Sequence, residues 1–385
     1  MEDREDLIKR IFHKAVMAEA YPDKKSVQER LLKESGLVFY YGIDPTGPDV
    51  HLGHVVQLLL LKRLIKLGHK AILLFGDFTA RIGDPTGKDT TRRPLSEEEI
   101  QKNLSTYLVQ VEKILEKGSF EVRHNQTWLA PVTFTEILKL AGHFTVQQMI
   151  ERDMFQRRIS EGKPIGLHEF LYPLMQGYDS VAMDVDGEIG GNDQTFNMLV
   201  GRDLLKTIKR KDKIVITTRL LTDRTGKKMS KSEGSLIAIA DPPEIVYEKV
   251  MNAIPDDMVP SIFEMCTEVP LEEINPEENR ESHEKLAFEL TRMFHSQEAA
   301  EKARDVFLQT ASGEYERESM PTGPTQITKF LVDNGVAGTS GEAQGLIRQG
   351  VVFKNGILLQ KVEKVGPGDK ISVGKRIKIK IPEKK

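Results

Sequence analysis

Short apolar runs alternate with amphipathic stretches over the first third of the chain, and this pattern predicts its secondary structure. Residues 37–43 and 71–76 are nearly continuous apolar runs, which indicate buried strands. Residues 52–67, between these runs, have helical periodicity that ends at Gly68, a residue typical of the position after a helix. A strand, a helix and a second strand without polar alternation favour a parallel sheet covered on both faces.

The pattern continues through the middle of the chain. Strands are predicted at residues 181–185 and 213–218. Helical periodicity is found over residues 96–117, 133–162 and 192–205. We therefore expect the α/β fold class, with a doubly wound, Rossmann-like parallel sheet that a helical insertion at about residues 120–180 interrupts.

Local composition divides the chain into three predicted segments. Residues 1–240 hold the predicted sheet, and a Pro-Pro pair at 242–243 follows them. Residues 241–322 have helical patterns without a convincing strand. Residues 323–385 follow a linker rich in Pro and Gly, and they combine short helices and strands with a hairpin signal at Asn355-Gly356. The last segment is therefore expected to be a small α+β module.

Overall composition excludes several broad classes of protein. Of 385 residues, 39% are apolar and 29% are charged, an ordinary balance that excludes wholesale disorder. The single cysteine, Cys266, excludes an internal disulfide and a thiolate-cluster metal site, and it fits a reducing compartment. The longest apolar runs reach about five residues, whereas a span of the bilayer needs roughly 20. We expect a cytoplasmic protein without a membrane segment.

Charge is distributed unevenly along the chain. The formal net charge is −3, yet residues 325–385 hold 12 Lys and Arg against 5 Asp and Glu. A basic end on an acidic body favours a polyanionic partner such as nucleic acid. Charge alone is equally compatible with a lysine-rich tail that only increases solubility.

A pair of histidines opens the predicted helix that follows the first predicted strand, in the string His51-Leu52-Gly53-His54. The backbone N–H groups and the dipole of a first helical turn favour an anion. Gly53 allows a flat ligand to approach the backbone closely. Taken alone, the same string is compatible with two surface histidines on a helix.

A second candidate is the string Lys227-Lys228-Met229-Ser230-Lys231-Ser232, which follows a later predicted strand. Its lysines could bind phosphate, or they could form a solvated run of charge on a loop. A third string ends in Gly87-Lys88 and is similar to a phosphate-binding P-loop. We reject it because Asp89 stands where that loop has Ser or Thr.

Together, the first two strings are the signatures of class I aminoacyl-tRNA synthetases. Three further strings resemble the bacterial-type tyrosyl-tRNA synthetase family within that class: residues 40–46 (YYGIDPT), 172–179 (YPLMQGYD) and 190–194 (GGNDQ). Residues 327–356 resemble the small RNA-binding module that this family shares with a ribosomal protein. The resemblance covers essentially the whole chain, in the family's order of motifs.

The resemblance implies roles for individual residues. It implies that Tyr40 and Asp179 hold the phenol hydroxyl of tyrosine. The remaining tyrosine-binding residues, for the ammonium group and its surroundings, would be Tyr172, Gln176, Asp84, Gln194, Asn125 and Thr79. The ATP-binding residues would be Asp44, Gly42, Gly53, Asp193, Met229, Ser230 and Lys231. The catalytic residues would be His51, His54, Thr46, Lys228 and Lys231.

The resemblance also implies the reaction and its partners. The chain would be a tyrosine–tRNA ligase that uses ATP with Mg²⁺ as substrate, with no permanently bound cofactor and no metal site of its own. Its partners would be L-tyrosine, ATP and tRNA(Tyr), and it would form a homodimer. The three segments would be a catalytic domain, a helical anticodon-side domain and an RNA-binding module. Tyr41 and Glu188 depart from residues frequent in the family, and no role is assigned to them.

Other functions have to be weighed against this reading. The same fold could activate tryptophan, although the Tyr40 and Asp179 pair argues against it. A small cofactor adenylyltransferase would need neither the helical segment nor the basic end. A relative that only binds RNA would not need intact His51 and His54.

Overall fold

The fold is described from a computed structural model. The described residues are 3–84, 95–151, 153–222, 237–270, 273, 279–312, 317–319, 321, 324–337, 339–374 and 377–383. The chain divides into two compact units, of which the first comprises Met1–Leu221 with Glu264–Cys266. The second comprises Thr222–Phe263 and Thr267–Lys385. The boundaries at residues 240 and 322 remain predictions.

The first unit contains a mostly parallel sheet. Its strands, within the described residues, are β1 (Met17–Tyr21), β2 (Val38–Ile43), β3 (Lys70–Phe75), β4 (Glu121–His124), β5 (Gly187–Gly191) and β6 (Ile214–Thr218). Their order across the sheet is β1-β6-β5-β2-β3-β4, and only the β1 pairing with β6 is antiparallel. This arrangement confirms the predicted α/β class, with an antiparallel edge strand that the sequence pattern did not predict.

Helices connect the strands of this sheet. Those of the first unit are α1 (Arg4–Ile11), α2 (Lys24–Lys33), α3 (Leu52–Lys66), α4 (Thr79–Ile82), α5 (Glu97–Val111), α6 (Gln126–Leu129), α7 (Phe134–Ala141), α8 (Val146–Ile150), α9 (Asp153–Ser160), α10 (Tyr172–Met183) and α11 (Thr195–Lys209). Helix α3 is almost wholly buried, which agrees with its apolar sequence. Strands β2 and β3 begin and end within one residue of their predicted bounds.

The prediction of a strand at residues 181–185 is wrong. Helix α10 continues to Met183, and Asp184 ends it in the left-handed conformation. The apolar residues of that stretch include Val181, which packs in a core cluster with Val200 and Leu204 of α11. The strand that follows is β5, whose Gly-Glu-Ile-Gly-Gly sequence has little apolar signal although it is fully buried.

Two glycines allow α10 and α11 to approach each other closely. A Cβ atom placed on Gly177 would lie 2.9 Å from Val200 Cγ1 and 3.2 Å from the backbone nitrogen of Gly201. A Cβ atom on Gly201 would lie 3.3 Å from the Cα of Gly177. Side chains at either position would separate the two helices, and α10 carries three residues of the predicted site.

The second unit combines helices with small sheets. Its helices lie at α12 (Pro243–Ala253), α14 (Asn279–Phe294), α15 (Gln297–Ser312), α16 (Ile327–Asp333) and α17 (Ser340–Arg348), and α13 (Val259–Cys266) is divided between the units. Its strands are β7 (Arg317–Glu318), β8 (Thr325–Gln326), β9 (Val352–Lys354), β10 (Ile357–Leu358), β11 (Lys364–Val365), β12 (Lys370–Val373) and β13 (Ile377–Lys380).

The predicted hairpin at Asn355-Gly356 is confirmed, since β9 pairs antiparallel with β10 across it. Both turn residues have positive φ, 52° and 78°, as a two-residue turn of this kind requires. The helices and strands of this terminal region share one core, which includes Ile327, Phe330 and Ile371. Across the described part of the chain, no helix combines the length and apolar character needed to cross a membrane.

Candidate active site

The candidate site lies at the carboxyl ends of the parallel strands. Asp44 follows β2, Thr79 lies in the short helix after β3, and Asn125 follows β4. Asp193 and Gln194 follow β5 in a turn of 3-10 helix. Loops at this edge of a doubly wound sheet form the usual ligand crevice, so the fold gathers residues that are far apart in sequence.

The two histidines stack at the start of α3. Their ring centroids lie 4.0 Å apart with an interplanar angle of 25°. His51 Nδ1 accepts a hydrogen bond from the backbone N–H of Gly53, and His54 Nδ1 accepts one from the backbone N–H of His51. In each ring Nδ1 therefore acts as an acceptor, which places the remaining ring hydrogen on Nε2, where it can serve an incoming anion.

Asp44 receives hydrogen bonds from two predicted site residues. Tyr172 donates its hydroxyl to Asp44 Oδ2 at 2.7 Å, and Thr79 donates to Asp44 Oδ1 at 2.7 Å. Gly76 makes this cluster possible, because a Cβ atom there would lie 1.9 Å from Asp44 Oδ1. Burial and the nearby Asp44 charge hold the pKa of Tyr172 well above its usual value, so its hydroxyl stays protonated.

Asp179 is a buried carboxylate, only 3% exposed, with two donors, one from α6 and one from the residue that precedes α6. Trp128 Nε1 donates to Oδ1 at 2.7 Å, and Asn125 Nδ2 donates to Oδ2 at 3.3 Å. Burial raises the pKa of Asp179 well above its usual value, and these two hydrogen bonds oppose the rise. Trp128 and Asn125 therefore favour the ionised form and limit the rise in pKa that burial causes.

Tyr40 is 1% exposed and lies near enough to Asp179 for the charge of that carboxylate to affect its pKa. Its hydroxyl oxygen lies 3.0 Å from Ser180 Oγ, with which it shares a hydrogen bond. Burial, followed by the charges of Glu188 and Asp179, raises the pKa of Tyr40 well above its usual value. The hydroxyl therefore keeps its proton, and a neutral donor stands near a carboxylate acceptor.

A chain of side-chain amides links the remaining predicted residues. Gln176 Nε2 donates to Glu188 Oε1 at 3.0 Å, and Gln176 Oε1 accepts from Asn197 Nδ2 at 3.0 Å. Asn197 also donates to Gln194 Oε1, and Gln194 donates to Asp84 Oδ2 at 2.6 Å. The oxygens of Gln176 and Gln194 both accept from Asn197, and each keeps a second lone pair with which it can accept from a cationic ligand.

The remaining predicted residues are placed as follows. Gly42 and Thr46 are exposed near the end of β2, and Asp193 is half-buried. Gly53 carries no side chain, and a Cβ atom there would lie 3.0 Å from the His51 ring. Four predicted residues, Lys228, Met229, Ser230 and Lys231, lie outside the described residues. Asn125, assigned by resemblance near the ammonium group, contacts Asp179 at the predicted phenol end.

Several residues of the site were missed from the sequence. They are Trp128, Ser180, Asn197 and Lys213, and no role was assigned to Glu188. Trp128 is the single tryptophan of the chain, which is the one signal that could have drawn attention to it. Lys213 was noted only as the first residue of a predicted strand, yet it is fully buried and pairs with Glu188.

The site thus offers groups that suit three different parts of a ligand. Asp179 and Tyr40 are both buried and offer an acceptor and a donor, which suits a phenol. Asp84, Asp44 and the amide oxygens suit an ammonium group. The stacked histidines suit a phosphate chain. These residues fit an amino acid with a phenol side chain, joined to a phosphate ligand.

Comparison with known families agrees with this geometry. The family model described as tRNA synthetases class I (W and Y) matches residues 32–310. The chain therefore belongs to the class I tRNA synthetases for tryptophan and tyrosine.

Curated relatives specify the family further. The chain is 40% identical over 371 residues to the tyrosine–tRNA ligase of Thermotoga maritima, with 92% of each chain covered. It is 39% identical over 394 residues to that of Carboxydothermus hydrogenoformans, with 95% of each covered. It is a member of the bacterial-type tyrosine–tRNA ligase family.

Solved structures share the fold at lower identity. The C-terminally truncated mitochondrial tyrosyl-tRNA synthetase of Aspergillus nidulans has a TM-score of 0.67 at 23% identity. The match covers 79% of this chain and 93% of that one. The Archaeoglobus fulgidus tyrosyl-tRNA synthetase complexed with L-tyrosine has a TM-score of 0.57 at 19% identity, with 78% and 99% covered. At these identities the comparison supports the fold alone.

Replacing Trp128 by Phe should move the acid limb of kcat/KM for tyrosine to higher pH. The variant removes one donor from Asp179, and fewer donors raise the pKa of a carboxylate. On the acid side of the profile we expect kcat/KM to fall about tenfold, since a hydrogen bond to a charged group contributes about 1.5–3 kcal/mol. The measurement is the pH dependence of tyrosine activation.

The control is Tyr247→Phe, which likewise replaces an aromatic side chain by one without its polar atom, at a buried position outside the site. This control should leave the acid limb in place. An acid limb that stays in place or moves to lower pH in Trp128→Phe would contradict the assignment of Trp128 to the ionised carboxylate.

Proposed function

We propose that the chain activates L-tyrosine with Mg²⁺-ATP to tyrosyl-adenylate and pyrophosphate, then transfers tyrosine to the 3′-terminal adenosine of tRNA(Tyr). The observation that carries this proposal is the buried pair of Asp179 and Tyr40, an acceptor and a donor matched to a phenol. The curated relatives named tyrosine–tRNA ligase support the same reaction.

The first step needs no nucleophile from the protein. The carboxylate oxygen of tyrosine attacks the α-phosphorus of ATP, a bond to phosphorus forms, and the bond to the leaving pyrophosphate breaks. Positioning of the two substrates and stabilisation of charge on the phosphates are then the protein's contributions. Asp44, Thr46, Gly42, Gly53 and Asp193 would line the path of the adenylate.

Selection of tyrosine would occur at the phenol end of the pocket. Asp179 would accept the hydrogen of the substrate hydroxyl, and Tyr40 would donate to its oxygen. Phenylalanine would make no hydrogen bond to either protein group and would bury both against an apolar ring edge, which costs more than the loss of a simple apolar contact. Tryptophan carries a donor but no acceptor on its indole, so it would leave the Tyr40 hydroxyl unsatisfied.

The ammonium group of tyrosine would be held away from the phenol end, beside the hydrogen-bonded side-chain amides. Asp84 supplies a carboxylate beside Gln194, and Gln176 supplies an oxygen on α10. Tyr172 and Thr79 would act by holding Asp44 in place. Asn125 would support both Asp179 at the phenol end and Thr79 beside Asp44.

Phosphate binding would depend on the histidine pair. His51 and His54 would donate from Nε2 to phosphate oxygens, with Lys228 and Lys231 neutralising charge as pyrophosphate leaves. Those two lysines lie outside the described residues, so their role follows from the sequence motif. Mg²⁺ would enter with ATP as part of the substrate, and no permanently bound cofactor is required.

The transfer step requires tRNA(Tyr), and the terminal segment would provide part of its binding surface. Residues 325–385 hold 12 Lys and Arg against 5 Asp and Glu. Exposed basic residues there include Lys329, Arg348 and Lys361. Contacts between such residues and phosphates provide sequence-independent affinity that decreases with salt. We retain a cytoplasmic location and the three predicted segments as parts of this proposal.

The full-length chain should catalyse exchange of pyrophosphate into ATP that depends on tyrosine and Mg²⁺ and needs no tRNA. The assay supplies each of the twenty amino acids separately. In a second assay, charging of tRNA(Tyr) should require tRNA and weaken as salt rises. Exchange driven by tryptophan, or exchange without any amino acid, would overturn the proposal.

We further propose that the active form is a homodimer joined through the helical insertion. Five exposed large apolar side chains fall within residues 134–167: Phe134, Leu138, Val146, Ile159 and Leu167. The same region holds the buried ion pair of Arg158 and Glu169, whose nitrogen and oxygen atoms lie 2.6 Å apart. Exposed apolar side chains, on a region that a buried ion pair holds in place, support an interface with a second copy of the chain.

Replacing Phe134 by Glu should weaken the dimer by at least about tenfold, because an unpaired charge is costly in an apolar interface. Leu308→Glu is the matched control, since Leu308 is an exposed leucine outside the insertion. Sedimentation over a range of concentrations should detect dissociation only for Phe134→Glu. If both variants self-associated as strongly as the unmodified chain does, this interface would be contradicted.

A further inference from the structure

We propose that Asn197 is a positioning residue for the ammonium group of tyrosine, because its one amide nitrogen holds the oxygens of Gln176 and Gln194 at the same time. The inference rests on the proposed function, in which Asp84 and the glutamine oxygens receive that ammonium group. It gives Asn197 a role that the sequence analysis did not assign to it.

Asn197 joins two elements of the site. It lies on α11 with a relative exposure of 0%. Its Nδ2 donates to Gln176 Oε1 at 3.0 Å and to Gln194 Oε1 at 2.9 Å. Gln176 belongs to α10, whereas Gln194 immediately precedes α11. One buried nitrogen atom therefore fixes the positions of two oxygen atoms that come from different elements.

The carboxylates at the two ends of this hydrogen-bonded chain of side chains fix the direction of its bonds. Glu188 is paired with the Lys213 ammonium group, which only donates, so Glu188 is an acceptor for Gln176 Nε2. At the other end, the carboxylate of Asp84 accepts from Gln194 Nε2 at 2.6 Å. Each glutamine therefore presents its nitrogen to a carboxylate and its oxygen to the amide between them.

The orientation of the Asn197 amide follows from those two oxygens. Both face it as acceptors, so both hydrogens of its nitrogen are committed, one to each glutamine. A half-turn of the amide would place its oxygen against two other oxygens and lose both bonds. Among the described residues, Asn197 Oδ1 has no hydrogen-bond partner, whereas most buried polar atoms have one. This fits a role in holding the two glutamines rather than in filling space.

The two glutamine oxygens remain able to bind a cation. Each carries two lone pairs, and Asn197 uses one of them. Because both oxygens are held, an ammonium group can bind without first restricting the glutamine side chains. Without Asn197, that restriction would have to occur during binding, and affinity for the ammonium group would fall.

A residue that only packs α11 against α10 would behave differently. Helix α10 also carries Asp179, at the predicted phenol end. Loss of packing would therefore disturb both ends of the site and weaken every ligand that carries a phenol. Loss of a positioning residue for the ammonium group should weaken only the ligands that carry that group.

The test is pyrophosphate exchange by the full-length chain with two competitors of tyrosine. Tyramine has the phenol and the ammonium group without the carboxylate, and desaminotyrosine has the phenol and the carboxylate without the ammonium group. Asn197→Ala removes both hydrogen bonds, whereas Asn197→Ser keeps a hydroxyl that can donate to only one glutamine. The control is Asn334→Ala, the same substitution at a half-buried asparagine of the terminal region, which donates to the Phe330 carbonyl oxygen.

In Asn197→Ala, the KM for tyrosine and the Ki of tyramine should rise about three- to tenfold, the size expected for a neutral hydrogen bond. The Ki of desaminotyrosine and the KM for ATP should remain unchanged. Asn197→Ser should give a smaller rise for the same two ligands. Asn334→Ala should keep all four constants of the unmodified chain.

Two results would overturn the inference. One is an unchanged Ki of tyramine, and the other is an equal rise in the Ki of tyramine and of desaminotyrosine. If Asn197→Ala does not fold, Asn197→Ser decides by the same two criteria. If exchange by the unmodified chain does not depend on tyrosine, the proposed function itself fails; if it does, failure in the variants concerns only Asn197.

Discussion

The site depends on one carboxylate that is held out of water. Asp179 is 3% exposed, and the removal of a charge from water costs several kcal/mol unless donors replace its hydration. Trp128 of α6 and Asn125, which precedes α6, provide two such donors. The carboxylate is thus partly satisfied by the protein, and a phenol hydroxyl would supply the donor that completes it.

A second buried charge pair lies close to the first. Glu188 and Lys213 neutralise each other, and each also contacts a residue of the pocket. Lys213 donates a hydrogen bond to Ser180, at the predicted phenol end. Glu188 accepts a hydrogen bond from Gln176, at the predicted ammonium end. One pair therefore contacts residues at both ends of the predicted site, at a desolvation cost that an apolar residue in place of the lysine would not have.

The sequence predicted those parts of the fold that rest on local pattern. Strand β2 and helix α3 follow directly from apolar runs and helical periodicity. Strand β5 could not be predicted, because its buried glycines lack apolar side chains, and the apolar end of α10 was taken for a strand instead. The motif residues were recognised by resemblance. Lys213 and Trp128 could not be, since their partners are 25 and 51 residues away in sequence.

The most direct test of the central claim is a crystal structure of the full-length chain with L-tyrosine bound. The account predicts that the phenol oxygen lies within about 3.2 Å of both the Tyr40 hydroxyl and an oxygen of Asp179, the range of a hydrogen bond. Trp128 and Asn125 should keep their contacts with the carboxylate. A phenol oxygen beyond reach of both residues, or a tyrosine bound in another cavity, would contradict the account.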